Sequence, residues 1–124
     1  MERERIEEFT QGGKNFIYID LSGLKENEEF LELVKVIEPA VEKYPENSLY
    51  TITNIENVRI DTETKKFIVQ YLKHNKPYVK YGAVVGLDGI KKLVVNAVLS
   101  LSGRDNIFFA YTKEHATELL LRKE

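Results

Sequence analysis

His74 and His115 are the only imidazoles in the chain. Neither falls in a metal-binding spacing such as His-Glu-x-x-His. His74 stands at the end of a predicted helix, where the dipole favours a cation, and reads as a surface or capping histidine. There is no cysteine, which removes disulfides, thiolate metal sites and thiol nucleophiles from consideration. No Gly-x-Ser-x-Gly elbow offers a serine hydrolase a starting point. Carboxylates are abundant, but most fall on predicted exposed helix faces, and no two stand out as an acid–base pair. The expectation is no catalytic residue, no metal site and no cofactor.

Two polar corners and one apolar helix are the remaining candidates. Gly82, Gly86 and Gly89 lie around a strand-to-helix turn with Lys91 in the first helical turn, the right context for an anion site. The pattern is neither Gly-x-Gly-x-x-Gly nor Gly-Lys-Ser/Thr, and Asp88 would repel phosphate where the amides should meet it, so turn formation and capping account for it. Asn54, Asn57, Asp61, Thr62 and Glu63 form a second polar group between a predicted strand and helix. They read as helix capping, alone or combined with recognition. The third predicted helix is broader in apolar coverage than a surface helix requires, with Leu93, Val94, Val95, Ala97, Val98, Leu99 and Leu101. It is either deeply buried or presents Leu93, Ala97 and Leu101 as a face for an apolar ligand or a second copy.

The elements that would position these residues alternate. Residues 79–102 carry the most apolar run: a β-branched strand at 79–85, a glycine turn and a helix at 90–101. Before it, residues 16–21 and 49–53 read as strands. The helix between them carries Phe30, Val34, Ile37, Val41 and Tyr44 on one stripe, with Asn27 as the expected N-cap. Pro39 inside that stripe predicts a kink or two short helices. Asp61 or Thr62 should cap the second helix, Gly103 should end the third in a left-handed stop, and Thr112 should cap a fourth after a strand at 107–111. Residues 11–15 read as a turn. The segment before them, within 1–15, reads as an edge strand or a frayed helix. The order βαβαβαβα implies an α/β fold with a mainly parallel sheet of four to five strands and right-handed crossovers.

With 124 residues, 43% apolar and 31% charged, the whole chain, 1–124, is expected to form one domain. A net charge of −2 gives no basic field for nucleic acid. The charged amino terminus lacks an export signal, and no apolar run approaches the roughly 20 residues of a membrane span. A cytoplasmic protein that is not integral to a membrane is expected.

From Phe16 onward the chain resembles the SpoIIAA-like family, a STAS-related group also compared with Sec14-type lipid-binding domains. The resemblance is carried by Ile19-Asp20-Leu21-Ser22-Gly23-Leu24, His74-Asn75-Lys76-Pro77-Tyr78-Val79, Ala83-Val84-Val85-Gly86, Gly89-Ile90-Lys91-Lys92 and Ser102-Gly103-Arg104. It implies a right-handed β/α superhelix and a non-enzymatic interaction module. In the family's anti-sigma-factor antagonists, the second serine of an Asp-Ser-Ser-Gly motif is phosphorylated. Aligned on its Asp, this chain reads Asp61-Thr62-Glu63-Thr64, so a glutamate stands where the phosphoserine would be. A phospho-switch at that position is not expected, although Thr62 and Thr64 flank it. The expected recognition surface joins the loop and helix start at 54–64 to the turn at Gly86, Asp88 and Gly89, for a protein partner with a basic patch. The alternative is a lipid or apolar small-ligand binder using the third helix, which requires an enclosed cavity of roughly 300 Å³ or more. A homodimer through that helix is compatible with both.

Overall fold

The computed structural model describes residues 5–123. Elements run β1 (Ile6–Gln11), β2 (Lys14–Asp20), α1 (Asn27–Glu42), β3 (Leu49–Asn54), α2 (Thr62–Asn75), β4 (Val79–Val85), α3 (Gly89–Leu101), β5 (Ile107–Phe109) and α4 (Lys113–Leu121). The sheet order is β1-β2-β3-β4-β5, with β1 antiparallel to β2 and the other pairs parallel. The segment that the sequence left between strand and helix is therefore an edge strand over residues 6–11, and residues 1–4 lie outside the described part. Gly12 and Gly13 join β1 to β2 with φ of 60° and 76°, the left-handed pair that a two-residue hairpin needs. The turn expected at 11–15 is shorter than that, and β2 already begins at Lys14.

Each parallel crossover advances one strand in the same direction. Crossovers of one hand then leave α1, α2 and α3 on one face of the sheet. That face holds the larger core, with Ile17, Ile19, Leu49 and Val84 from the strands against Phe30, Leu33, Ile37 and Val41 of α1, Tyr71 and Leu72 of α2, and Val95, Val98 and Leu99 of α3. The other face is covered by α4 through Ala116 and Leu120. Under it runs a row of aromatic rings, one per strand: Phe9, Phe16, Tyr50, Tyr81 and Phe108, with successive centroids 4.9, 5.5, 6.2 and 5.9 Å apart. A bulge between the Leu49 and Tyr50 pairings skips Lys80 and brings Tyr81 opposite Tyr50, which keeps the row in line. Lys113 and Lys123 of the carboxyl-terminal segment lie over its two ends, 5.5 Å from the Phe9 ring and 4.0 Å from the Phe108 ring.

The local signals mostly operate as read. Asp61 caps α2, its Oδ1 accepting the Thr64 amide at 2.9 Å, and Thr112 caps α4 by accepting from His115 at 3.0 Å. Gly103, at φ 72°, ends α3 in a Schellman motif: Arg104 N–H bonds to Leu99 O and Gly103 N–H to Ser100 O. Three expectations are corrected. The N-cap of α1 is Glu26, not Asn27, because the Glu29 carboxylate turns back to accept the Glu26 and Lys25 amides, which starts the helix at Asn27. Pro39 does not split α1, which continues to Glu42 with Pro39 on its exposed side. The last strand also stops at Phe109, two residues short of the expected end.

Two side chains pin the helix layer together. The Arg104 guanidinium is buried and donates from Nη1 to Leu72 O at 2.9 Å and from Nε to Asn106 Oδ1 at 3.1 Å; among the described residues its Nη2 has no partner. His74 bridges α1 and α2: Nε2 meets Glu42 Oε2 at 2.7 Å and Nδ1 meets Asn75 Oδ1 at 2.9 Å. Burial alone would lower its pKa, but the bonds to Asn75 and Glu42 and the charges of Glu38 and Glu42 outweigh burial and raise it. A folded-state pKa raised above 6.5 means that the protonated ring stabilises the fold. That contribution is complete below 6.5 and is lost as pH rises through the elevated value. Urea titrations of wild type and His74→Gln should therefore differ most at about pH 6, and the difference should shrink as pH rises through the elevated value. A difference that stays constant across that range would show that the ring is neutral in the folded protein.

Candidate functional site

The carboxyl ends of β2, β3, β4 and β5 share one edge because these strands are parallel. The loops leaving them are stitched together by main-chain bonds that extend past the ladders. Leu21 N–H bonds to Asn54 O at 2.8 Å, Gly23 N–H to Glu56 O at 2.9 Å, Ile55 N–H to Val85 O at 3.0 Å and Ala110 N–H to Val84 O at 3.0 Å. Asn54 completes the bracing. Its Oδ1 accepts the Glu56 amide at 2.9 Å and its Nδ2 donates to the Tyr18 hydroxyl at 3.1 Å. Asn57 adopts φ 58°, a left-handed conformation that asparagine tolerates, and turns the chain back toward Val58, which is buried.

Between these loops lies an open cleft of about 340 Å³ lined by Glu56, Asn57, Gly86, Leu87, Asp88, Lys91, Ala110 and Tyr111. Its floor is held by Gly86. This residue has φ 85°, and a β-carbon there would come within 2.6 Å of the Glu56 amide nitrogen and 2.7 Å of Asn54 Oδ1. Asp88 caps α3, with Oδ1 accepting the Lys91 amide at 2.9 Å. Tyr111, 84% exposed, stands on the rim. Its ring stacks on His115 at 5.4 Å, and its amide donates to His115 Nδ1 at 3.1 Å, which makes Nδ1 an acceptor and puts the proton of the neutral ring on Nε2. Two carboxylates, an ammonium, an amide side chain and an exposed phenol thus converge on a rigid rim. An open cleft with polar groups of both charges on its rim can take up the polar groups of a partner.

The cleft brings together Asn57, Gly86 and Asp88 of the residues expected from the sequence, with Asn54 bracing it from behind. Gly89 begins α3 just beyond it. Asp61, Thr62 and Glu63 belong to the same sheet edge but do not line the cleft; they form the start of α2. There Asp61 is held below the usual carboxylate range, chiefly by the Thr64 amide, and Arg59 lies 3.2 Å from its Oδ2. Glu63 is exposed and pairs with Lys66 at 3.5 Å. Thr64, flanking the phosphoserine-equivalent position, is fully buried, and its hydroxyl engages the Asp61 amide at 2.7 Å, so a kinase could reach it only by unwinding the first turn. Thr62 is exposed. Glu56 lies inside the loop expected at 54–64 without being singled out there, whereas Tyr111 lies outside the expected surface. Tyr111 was assigned to a strand, and the signal that would have freed it is Thr112, since a residue just before an N-cap belongs to the connection.

On α3, Leu93, Ala97 and Leu101 are all exposed, whereas Val95, Val98 and Leu99 are buried. The helix is therefore buried on one side and exposes apolar side chains on the other. The apolar cavity between the helices and the sheet, bordered by Phe30, Ile37, Tyr71, Val95 and Leu99, measures about 50 Å³, far short of a lipid chain. Among the described residues no helix is long and apolar enough to cross a membrane, and no three His, Asp or Glu side chains converge as metal ligands.

No family model matches the chain, and no curated protein does. Among solved structures it is similar to an uncharacterized protein of the DUF3478 family with a SpoIIAA-like fold from Shewanella loihica PV-4. The two share 11% identity over 93% of this chain and 91% of that one, with a TM-score of 0.70. The five-stranded, mostly parallel sheet with four helices is thus a SpoIIAA-like fold. At the cleft floor, Gly86→Ala should lower unfolding free energy by about 3 kcal/mol, combining a left-handed φ with backbone overlap at Glu56. Chemical denaturation measures this directly, and a loss below about 1 kcal/mol would mean that the two loops are not held as tightly as the bonds imply.

Proposed function

We propose that this chain is a non-enzymatic recognition module of the SpoIIAA-like type that binds a basic segment of a protein partner in the cleft between Glu56, Asp88 and Tyr111. The observation that carries this reading is that two carboxylates, outnumbering the one ammonium of Lys91, share with an 84% exposed tyrosine a cleft whose loops are joined by main-chain bonds. A lysine or arginine side chain entering such a cleft gains charge-assisted hydrogen bonds from the carboxylates and a ring face from Tyr111. The rim is preorganised, so binding orders few additional groups. Glu63 supports the same reading from the side. It supplies a fixed charge at the helix start where the antagonists of the STAS group place a phosphate, which gives a constitutive rather than a switched surface. The cavity of about 50 Å³ offers no comparable support for an enclosed lipid.

Amide chemical shifts during titration with a lysine- and arginine-rich peptide test the proposal. The amides of Glu56, Asn57, Gly86, Asp88 and Tyr111 should move together and stay still with a glutamate-rich peptide. The double variant Glu56→Gln, Asp88→Asn keeps an N-cap while removing both charges, and should weaken binding about tenfold. Shifts confined to another face, or a double variant that binds like wild type, would overturn the assignment.

A further inference from the structure

The third helix carries a second surface, separate from the cleft. Ile90, Leu93, Ala97 and Leu101 recur at intervals of three and four and form one stripe about 16 Å long. Ile90, Leu93 and Leu101 are 77, 73 and 72% exposed. The core needs none of them, since Val95, Val98 and Leu99 supply the buried side of α3. Large exposed aliphatics are ordinary when scattered, but here three share one face of a thirteen-residue helix.

Charge is sorted along the helix layer in the same way. α1 contributes five glutamates and one lysine, whereas α2 and α3 together contribute five lysines and one glutamate, and that glutamate, Glu63, is paired with Lys66. Three of these lysines, Lys65, Lys66 and Lys92, border the stripe; Lys91 lines the cleft, and Asp61 and Asp88 cap the two helices at their amino ends. Lys65 and Lys66 share a shallow groove with Val98 and Leu101, on the α2 side. Lys92 reaches over the Phe109 ring at 5.7 Å, on the β5 side. Lys76 lies beside Gly103, just past the helix end. An apolar crest in a basic border therefore occupies one flank of a chain whose net charge is −2.

That combination selects among the surfaces that could cover it. A second copy applied about a two-fold axis would bring each lysine border against its own image. A groove-seeking peptide would engage Val98 and Leu101 but leave Ile90 and Leu93 on the crest. An anionic bilayer meets both the crest and its lysine border: aliphatic side chains enter the acyl boundary, while lysine stems lie along it and their ammonium groups reach acidic headgroups. We propose that α3 docks this protein reversibly on anionic membrane surfaces, with Ile90, Leu93 and Leu101 inserted and Lys65, Lys66 and Lys92 on headgroups.

Co-sedimentation of the full chain with large unilamellar vesicles tests this. Wild type should pellet with phosphatidylcholine vesicles containing roughly 30% phosphatidylserine and should remain in solution with phosphatidylcholine alone. About 0.5 M salt should release it. Leu93→Ser with Leu101→Ser should weaken partitioning at least about tenfold, and Lys65→Gln with Lys66→Gln about tenfold or more; circular dichroism confirms that both variants fold. Absence of vesicle binding, equal binding to both vesicle types, or variants that bind like wild type would each overturn the proposal. So would salt-sensitive self-association without vesicle binding, which would assign the face to a second copy.

Discussion

Main-chain hydrogen bonds that outrun the strands are the constraint on which the rest of this structure depends. Leu21 bonds to Asn54, Gly23 to Glu56, Ile55 to Val85 and Ala110 to Val84, each beyond or at the end of a regular ladder. Loops leaving a parallel sheet are normally its most mobile parts. Here they form a continuation of the sheet that then turns sharply into the helices. The turn is feasible because Gly86 and Asn57 accept left-handed backbone conformations. Cap, cleft and helix direction follow from that single row of bonds: Asp61 and Asp88 stand where they do because the strands before them end in step.

The two faces of the sheet are stabilised by different means. Beneath α1, α2 and α3 the core is mainly aliphatic, and Tyr71, hydrogen-bonded to Thr53 at 3.1 Å, is one of its polar exceptions; burial pushes the Tyr71 hydroxyl up to about 12. Beneath α4 it is aromatic, and α4 has only nine residues with which to cover five strands. Rings laid across the strands extend that cover, because each shields its neighbour's face while lysine stems close the ends. Lys14 adds a further tie, donating to the carbonyls of Leu121 and Lys123 at the end of α4, where a cation suits the dipole. The short helix is thus held from both sides.

Much of this architecture is legible in the residues themselves, for a physical reason. The alternation of β-branched runs with helical stripes dictates parallel crossovers, and Asp61, Thr112 and Gly103 mark boundaries through bonds that reach only three to five residues along the chain. Features that depend on distant neighbours were not legible. Glu26 displaces Asn27 as a cap because Glu29 folds back, a competition between a carboxylate and the neighbouring carboxamide that composition does not rank. The burial of Arg104, in the connection after α3, depends on the Leu72 carbonyl of α2. The exposure of Leu93 and Leu101 could not be separated from burial, since helical periodicity reports which residues share a face and is silent on what that face meets. The cleft was half visible: topology brought Asn57 and Asp88 together, while Tyr111 entered only because β5 ends early.

The outer strands have a consequence for behaviour in concentrated solution. β1 carries the adjacent carboxylates Glu7 and Glu8, which engage Lys113 on one side and Tyr44 and Lys43 on the other, and β5 is three residues long. Neither rim offers a long uncharged template on which a further chain could zip by backbone pairing. Growth into amyloid-like ribbons is thereby discouraged at both ends of the sheet, and any lasting association of this protein must be made with side chains.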